Sequence, residues 1–394
     1  MMNLIRYSLE DGILTVLLPE RVDTVNAPAL GEEMMSALAE NPHGSVILNA
    51  EELQYISSAG LRAVLRVKKA EKDMKIVGVC AEVYEIFDMT GFTELIPIEK
   101  AYRCLSVEGC DVIGKGAKGT VYRYNADTIL KVYKNPDSLP DIKRERELAR
   151  RAFVLGIPTA ISYDVVKVGE SYGSVFELLD AKSYSALIAA EPEKTEDYVA
   201  ECASLLRKIH ETEVRAEDMP DIKKTVYSWA DASAPFLTEE DSKKLRALIE
   251  AVPDRLTMLH CDFHTNNVMS QGGEAILIDM DTLSHGHPVF ELANVWITYV
   301  GFGETDPTVV EKFLGLPYPL AKRIWNAFLP AYLGTTDPEK LEEVEKKVRL
   351  LGYTRLLRHT ARRGLTDTPE GKKIAALCTE RISALLRSVS ALVF

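Results

Sequence analysis

The chain has little of what would tie it to a membrane, a structural metal or an oxidising compartment. No apolar run approaches the roughly 18 residues of a transmembrane helix, and Met1 to Arg6 lacks the apolar core of a signal peptide. Membrane binding is therefore not expected, and a cytoplasmic location is. Cys80, Cys104, Cys110, Cys202, Cys261 and Cys378 are scattered without metal-ligand spacing, which reads as free thiols in a reducing cytoplasm. Cys261 is the one placed to be open to alkylation, or else an inert buried thiol. His260 and His264 are four apart and His285 and His287 flank Gly286, but His-Glu-x-x-His is absent, so zinc is not expected. Positive charge is also in deficit. With 47 Lys and Arg against 59 Asp and Glu the net charge is −12, which disfavours nucleic acid or anionic lipid as a partner and weakly favours a cationic ligand. There is no internal repeat and no low-complexity segment. At 394 residues, with 46% hydrophobic and 27% charged residues, the remaining class is a globular protein of two to three domains.

The chemistry is concentrated in Leu259-His260-Cys261-Asp262-Phe263-His264-Thr265-Asn266-Asn267-Val268-Met269 and the following Ile276-Leu277-Ile278-Asp279-Met280-Asp281. Asp262 and Asn267 lie five apart on one loop, and Asp279 ends the next apolar run, 17 residues after Asp262. That arrangement suits phosphoryl transfer: one carboxylate orients a hydroxyl and takes its proton, while an amide oxygen and a second carboxylate hold Mg2+ against ATP phosphates. Upstream, Gly114-Lys115-Gly116-Ala117-Lys118-Gly119-Thr120-Val121 is a full Gly-x-Gly-x-x-Gly-x-Val, whose glycines allow backbone N–H groups to approach phosphates. The following Val121 to Tyr124 and Thr128 to Tyr133 read as two strands, whereas a dinucleotide fold would pass from its glycines into a helix. Lys131, alone among apolar strand residues, needs a phosphate and an acid to pair it.

The loop resembles the His-x-Asp-x-x-x-x-Asn signature of the aminoglycoside phosphotransferase and choline kinase-like family. The resemblance implies a bilobal protein kinase-like α+β domain with a mainly helical C-terminal lobe. It implies that Gly114, Gly116 and Gly119 cover the phosphates, that Lys131 binds them, and that an acid on the helix Asp141 to Leu155 holds Lys131. Glu145 and Glu147 are both candidates. Glu147, 16 residues after Lys131 and 11 before Pro158, is preferred by its similarity to the family spacing. The resemblance further makes Asp262 the base, Asn267 and Asp279 the Mg2+ ligands, and His260 an orienting residue of the loop. Asp281 is either a second metal- or phosphate-facing acid or a residue that only turns the backbone. Phe176-Glu177-Leu178-Leu179-Asp180 resembles the adenine hinge, so Glu177 and Leu179 would bind nucleotide through their backbone. Leu205 to His210 is similar to a helix that precedes the catalytic loop, with His210 structural. Glu291 stands where the family has an Asp bracing that loop, and its longer arm is expected to loosen the brace. The acceptor is expected to be a small-molecule hydroxyl.

The N-terminal segment reads as paired strands, Asn3 to Ser8 and Ile13 to Leu18, then helix Asn26 to Leu38, strand Ser45 to Leu48, helix Ser58 to Glu71, strand Met74 to Val79 and helix Ala81 to Met89. Val46 to Asn49, Leu53 to Leu65 and Phe87 to Phe92 look like the core of a STAS domain, the α/β fold (mixed sheet with helices) of anti-sigma factor antagonists. This implies a protein partner and a switch in which a serine at a loop-to-helix junction is phosphorylated. The usual acceptor position before Gly60 is Ala59, and the acid that commonly ends the preceding strand is Asn49. Ser58 and Ser57 are the substitute acceptors, or Ser57 or Ser58 simply caps the helix. The expected division is a STAS-like domain over 1–100, a kinase-like N-lobe over 108–180 and a C-lobe over 181–394. Two functions follow: phosphorylation of a small molecule, or a signalling module in which the kinase-like part phosphorylates a STAS serine or senses nucleotide. A pseudokinase scaffold is disfavoured by the intact Lys, Asp, Asn and Asp set.

Overall fold

The computed structural model describes residues 5–116 and 118–394. The first residues of the expected Asn3 strand, most of the N-terminal stretch read for a signal, and Ala117 of the glycine-rich segment lie outside the described residues. The chain divides into two compact units, one containing residues up to Glu108 with Val165–Gly173, the other Gly109–Asp164 with Ser174–Phe394.

The first unit is built on a five-stranded sheet in the order Arg6–Glu10, Ile13–Leu17, Ser45–Asn49, Met74–Val79, Ile98–Lys100. The first pair is an antiparallel hairpin, Glu10 opposite Ile13. Its two-residue turn, Asp11-Gly12, has positive φ at both positions (50° and 75°), the conformation that matches strand twist. The other pairings are parallel. Alternation in Ile13–Leu17 and Ser45–Asn49 sends Leu14, Val16, Val46 and Leu48 into a core completed by Leu30, Met34, Val64 and Val67 of the two helices Ala27–Glu40 and Ser58–Ala70. Gly60 is required by close approach: a Cβ there would lie 2.7 Å from both Ile56 and Val22 side chains.

Ser57 caps the Ser58–Ala70 helix, its hydroxyl accepting from the Gly60 N–H at 3.4 Å, while Ser58 is exposed in the first turn. Because that bond is long, Ser57→Ala is expected to cost only about 0.5–1 kcal/mol, at the low end for a cap, read as a shift in urea midpoint. A loss above about 2 kcal/mol would mean that Ser57 does more than cap.

In the second unit, strands Asp111–Lys115, Gly119–Arg123 and Thr128–Tyr133 form an antiparallel meander. The strand Ser171–Glu177, whose residues from Ser174 on belong to this unit, joins the same sheet beside Thr128–Tyr133. The helix Leu139–Val154 follows, and most of the rest is helical, including Thr195–Glu211, Pro288–Tyr299, Tyr318–Leu333, Pro338–Arg362 and Pro369–Leu386. Gly315 and Gly334 end their helices in the left-handed conformation at φ 69° and 63°. The core joins Leu206 and Ile209 of Thr195–Glu211 to Val289, Leu292 and Trp296 of Pro288–Tyr299 and to Leu351 and Tyr353 of Pro338–Arg362. No helix among the described residues is long and apolar enough to cross a membrane.

Candidate active site

The chemistry-bearing loop is held between two short ladders. Met258–Leu259 pairs with Ser284–His285, and Val268–Gln271 pairs with Glu274–Leu277 with Val268 opposite Leu277. That register sets Asn267 beside Ile278, whose N–H donates to Asn267 O at 3.0 Å, so Asn267 and Asp279 become neighbours although 12 residues separate them. Asp279 sits at φ 62° and Cys261 at φ 65°, a conformation that costs a non-glycine residue about 1–3 kcal/mol and recurs at functional sites.

The loop backbone is fixed from the Pro288–Tyr299 helix. Glu291, fully buried, accepts from His260 N–H at 2.8 Å and Cys261 N–H at 2.7 Å, and from His210 Nε2 at 2.8 Å. Asn294 donates to Cys261 O at 2.9 Å, and the Tyr299 hydroxyl accepts from Thr265 N–H at 2.9 Å. The longer Glu arm therefore makes a complete brace, with two loop amides and one imidazole, and the expected loosening is not seen. His210 is part of that brace, held on its other nitrogen by the Tyr332 hydroxyl at 2.7 Å. His260 orients the loop: its Nδ1 accepts from Asp262 N–H at 3.3 Å, and its carbonyl accepts from Thr282 at 2.7 Å. Asn267 Nδ2 donates to Asp262 O at 3.0 Å. Cys261 is buried, and burial, then the nearby Glu291 charge, pushes its thiol well above the ordinary range, so it is the inert thiol rather than the alkylation site. His285 and His287 serve the backbone, through Arg255 O and Val289 N–H.

Lys131 contradicts one expectation. Its ammonium pairs with Glu145 at 2.8 Å and with Asp279 at 3.2 Å, not with Glu147. On the Leu139–Val154 helix the buried residues are Ile142, Glu145, Leu148, Ala149 and Ala152, one continuous face. Glu147 lies about 200° round that helix and instead holds Arg150 and Arg151 at 3.0 and 2.8 Å. Spacing to Lys131 misled; helical phase carried the answer. Tyr133, two residues along the same strand face, donates to Glu145 at 2.9 Å. Burial works against the Lys131 charge, but Glu145 and Asp279 outweigh it and raise its proton affinity above the ordinary lysine value. Burial likewise opposes the Asp279 charge, yet Lys131 holds that carboxyl below its usual range. Glu145→Gln is therefore expected to weaken nucleotide use by about tenfold or more, and Glu147→Gln to change it less than twofold, as read by the KM for ATP. Equal effects of the two substitutions would overturn the pairing.

Lys118 of the glycine-rich segment pairs with Asp281, and Glu145, Asp279 and Asp281 offer carboxylate oxygens within 4.8 Å of one another. Asp281 thus faces the same cluster rather than only turning the backbone. Three carboxylates this close repel unless cations lie among them, and hard oxygen donors of this kind fit Mg2+. Gly119 serves packing as well as any phosphate: its Cβ would lie 2.5 Å from Val132 O. Gly116 N–H closes the turn onto Gly119 O at 2.9 Å, and Gly114 lies opposite Val121. In the segment expected to serve as a hinge, Leu178 N–H donates to Asp127 O at 2.8 Å; Glu177 is exposed and Leu179 half-buried.

A cavity of about 210 Å³ opens beside Asp262, lined also by Thr298, Phe302, Phe313, Arg355 and His359. Apart from Asp262, these lining residues come from four later segments, and no sequence motif singled them out.

Comparisons with known proteins agree with this architecture. Residues 110–318 match the phosphotransferase enzyme family, and residues 5–103 match the STAS domain. BtrV of Bordetella bronchiseptica, assigned by name to the anti-sigma factor antagonists, is 36% identical over 92 residues, covering 22% of this chain and 78% of that protein. Among solved structures, an apo thermostable mutant of aminoglycoside phosphotransferase APH(4)-Ia is 15% identical, covering 72% of this chain and 97% of its own, with a TM-score of 0.48. A choline/ethanolamine kinase family protein from Mesorhizobium loti is 16% identical, covering 71% and 88%, with a TM-score of 0.44. With more than half of its length matched, the chain belongs to the phosphotransferase enzyme family and carries a STAS domain ahead of the phosphotransferase part.

Proposed function

We propose that the protein transfers the γ-phosphate of ATP to a hydroxyl of a small molecule, in a working division of STAS-like residues 1–100, N-lobe 108–180 and C-lobe 181–394. The observation that carries this reading is the convergence of Lys131, Glu145 and Asp279 within hydrogen-bonding distance, on the sheet register that also brings Asn267 to Asp279. Lys131, held by Glu145, neutralises the α- and β-phosphates under the Gly114 to Gly119 segment. The backbone of Glu177 and Leu179 receives the adenine. Asn267 and Asp279, with Asp281 beside them, would hold Mg2+, which would neutralise charge on the phosphates. Asp262 accepts the acceptor's hydroxyl proton as the oxygen bonds to the γ-phosphorus and the bond to the β-phosphate oxygen breaks, leaving a phosphate monoester, ADP and a proton passed to solvent. His260, Glu291 and Asn294 act on Asp262 only through the loop backbone.

A second reading rests on Ser58, which is exposed at a helix N-terminus where phosphate is electrostatically favoured. In it the STAS domain binds a protein partner and the phosphotransferase part labels Ser58 or Ser57. The free thiols fit work in a reducing cytoplasm. Both readings are tested by ³²P transfer from labelled ATP with Mg2+, with and without a pool of hydroxylated metabolites. Label in a new soluble compound supports the first; label retained on Ser57 or Ser58 supports the second; label in neither sinks both.

A further inference from the structure

The cavity beside Asp262 has the wrong charge for a cationic acceptor. Between Glu345 and Asp367 the chain carries Lys346, Lys347, Arg349, Arg355, Arg358, Arg362 and Arg363 with no Asp or Glu, in a protein whose net charge is −12. The first two are matched on the same helix by Glu342 and Glu343. Arg355, Arg358, Arg362 and Arg363 have no acidic partner within ion-pair distance among the described residues. Arg355 and His359, one turn apart on the Pro338–Arg362 helix, both line the cavity. Arg355 is half-buried, its guanidinium 5.7 Å from the centre of the Trp229 ring, and burial pulls its pKa below the ordinary arginine value. The one carboxylate whose charge acts on Arg355 is Asp262, from beyond ion-pair distance, and a partly desolvated guanidinium with no acid in direct contact is costly in the absence of a ligand. Asp262 is the sole carboxylate among the lining residues, and it is the group needed at the acceptor's hydroxyl. A bound cation would have no acid left to pair with.

We propose that the acceptor is a small hydroxylated anion, bearing a carboxylate or phosphate that Arg355 pairs while Asp262 meets the hydroxyl. This rests on the phosphotransferase reading above and names its substrate class. The guanidinium offers two parallel N–H donors to a carboxylate or phosphate. The rings of Phe302 and Phe313 wall the space, and its volume suits a metabolite smaller than the ~300–1,000 Å³ occupied by drug-sized ligands. The negative charge of the whole surface, which weakly favoured a cationic ligand, is locally reversed where the acceptor enters.

The test uses the full chain with Mg2+ and labelled ATP against two pools: hydroxy acids and sugar phosphates in one, amino alcohols, aminoglycosides and neutral sugars in the other. Soluble label is expected from the first pool. For the acceptor so identified, Arg355→Met should lower kcat/KM about 30-fold or more, mainly through KM, and Arg355→Lys should recover part of it. Thermal melting of both variants checks that they fold, and the wild-type preference between pools stands even where they do not. Label from the second pool at equal or higher kcat/KM, or an acceptor KM unmoved by Arg355→Met, overturns the inference and leaves the phosphotransferase reading in place. No soluble label from either pool, with ATP consumption the same in wild type and Asp262→Asn, overturns that reading and this one with it.

Discussion

Asp262→Asn is expected to slow phosphoryl transfer by about 10²–10⁴-fold, the usual contribution of a positioned general base, while nucleotide still binds. The substitution keeps the size and shape of the side chain and removes only its capacity to take a proton. The backbone around it should hold, because Asn267 bonds the Asp262 carbonyl and His260 the Asp262 N–H, neither through the carboxylate. The Asp262 side chain is 41% exposed and lines a cavity, so the loss should fall on the chemical step rather than on folding. Single-turnover transfer and equilibrium binding of ATP, measured on the same preparation, separate the two. A variant that transfers phosphate at the wild-type rate would remove Asp262 from the mechanism altogether.

Glu291→Leu is expected to destabilise the second unit by about 3–5 kcal/mol. Three donors converge on this one fully buried carboxylate, the His260 and Cys261 amides and the His210 imidazole, and leucine would leave all three unpaired. Glu291→Gln is a finer probe. One carboxylate oxygen takes both His260 and His210, and the other takes Cys261, so a glutamine amide must turn its own N–H groups toward at least one donor. Its cost should be about 1–3 kcal/mol, that of one buried unsatisfied group. Urea midpoints at constant m-value give both numbers. If the leucine variant fell within about 0.5 kcal/mol of wild type, as an unremarkable surface change would, the brace would not be what holds the loop. Where the glutamine variant folds, transfer should also fall, because Cys261 at φ 65° has to be kept in that conformation for Asp262 to face the cavity.

Much of the architecture was legible because local chemistry fixes it. Alternation in Ile13–Leu17 and Ser45–Asn49, the Asp11-Gly12 turn and the glycine ends of the late helices each follow from steric preferences of a few neighbouring residues. The glycine-rich segment and the Asp262, Asn267 and Asp279 spacing were likewise visible, since the hairpin between Val268–Gln271 and Glu274–Leu277 is local. Glu145 was within reach of the sequence too. Its place on the stripe of Ile142, Leu148, Ala149 and Ala152 marks it as inward-facing, and distance in residues from Lys131 was the poorer guide. The expected looseness at Glu291 failed for a different reason. Side-chain length alone does not say how far the helix stands from the loop, and the Pro288–Tyr299 helix lies where a glutamate spans the gap to both amides.

The order of the two folds and the identity of the groups able to handle phosphate are readable from the chain alone, because both are encoded in contiguous stretches whose spacing is read directly. Only the packed structure shows that His210 and Glu291 stake the loop and that Arg355 and His359 line one cavity with Asp262. Those residues are brought together by helix packing over separations of 30 to 97 positions, and packing is set by how whole faces fit rather than by any one segment.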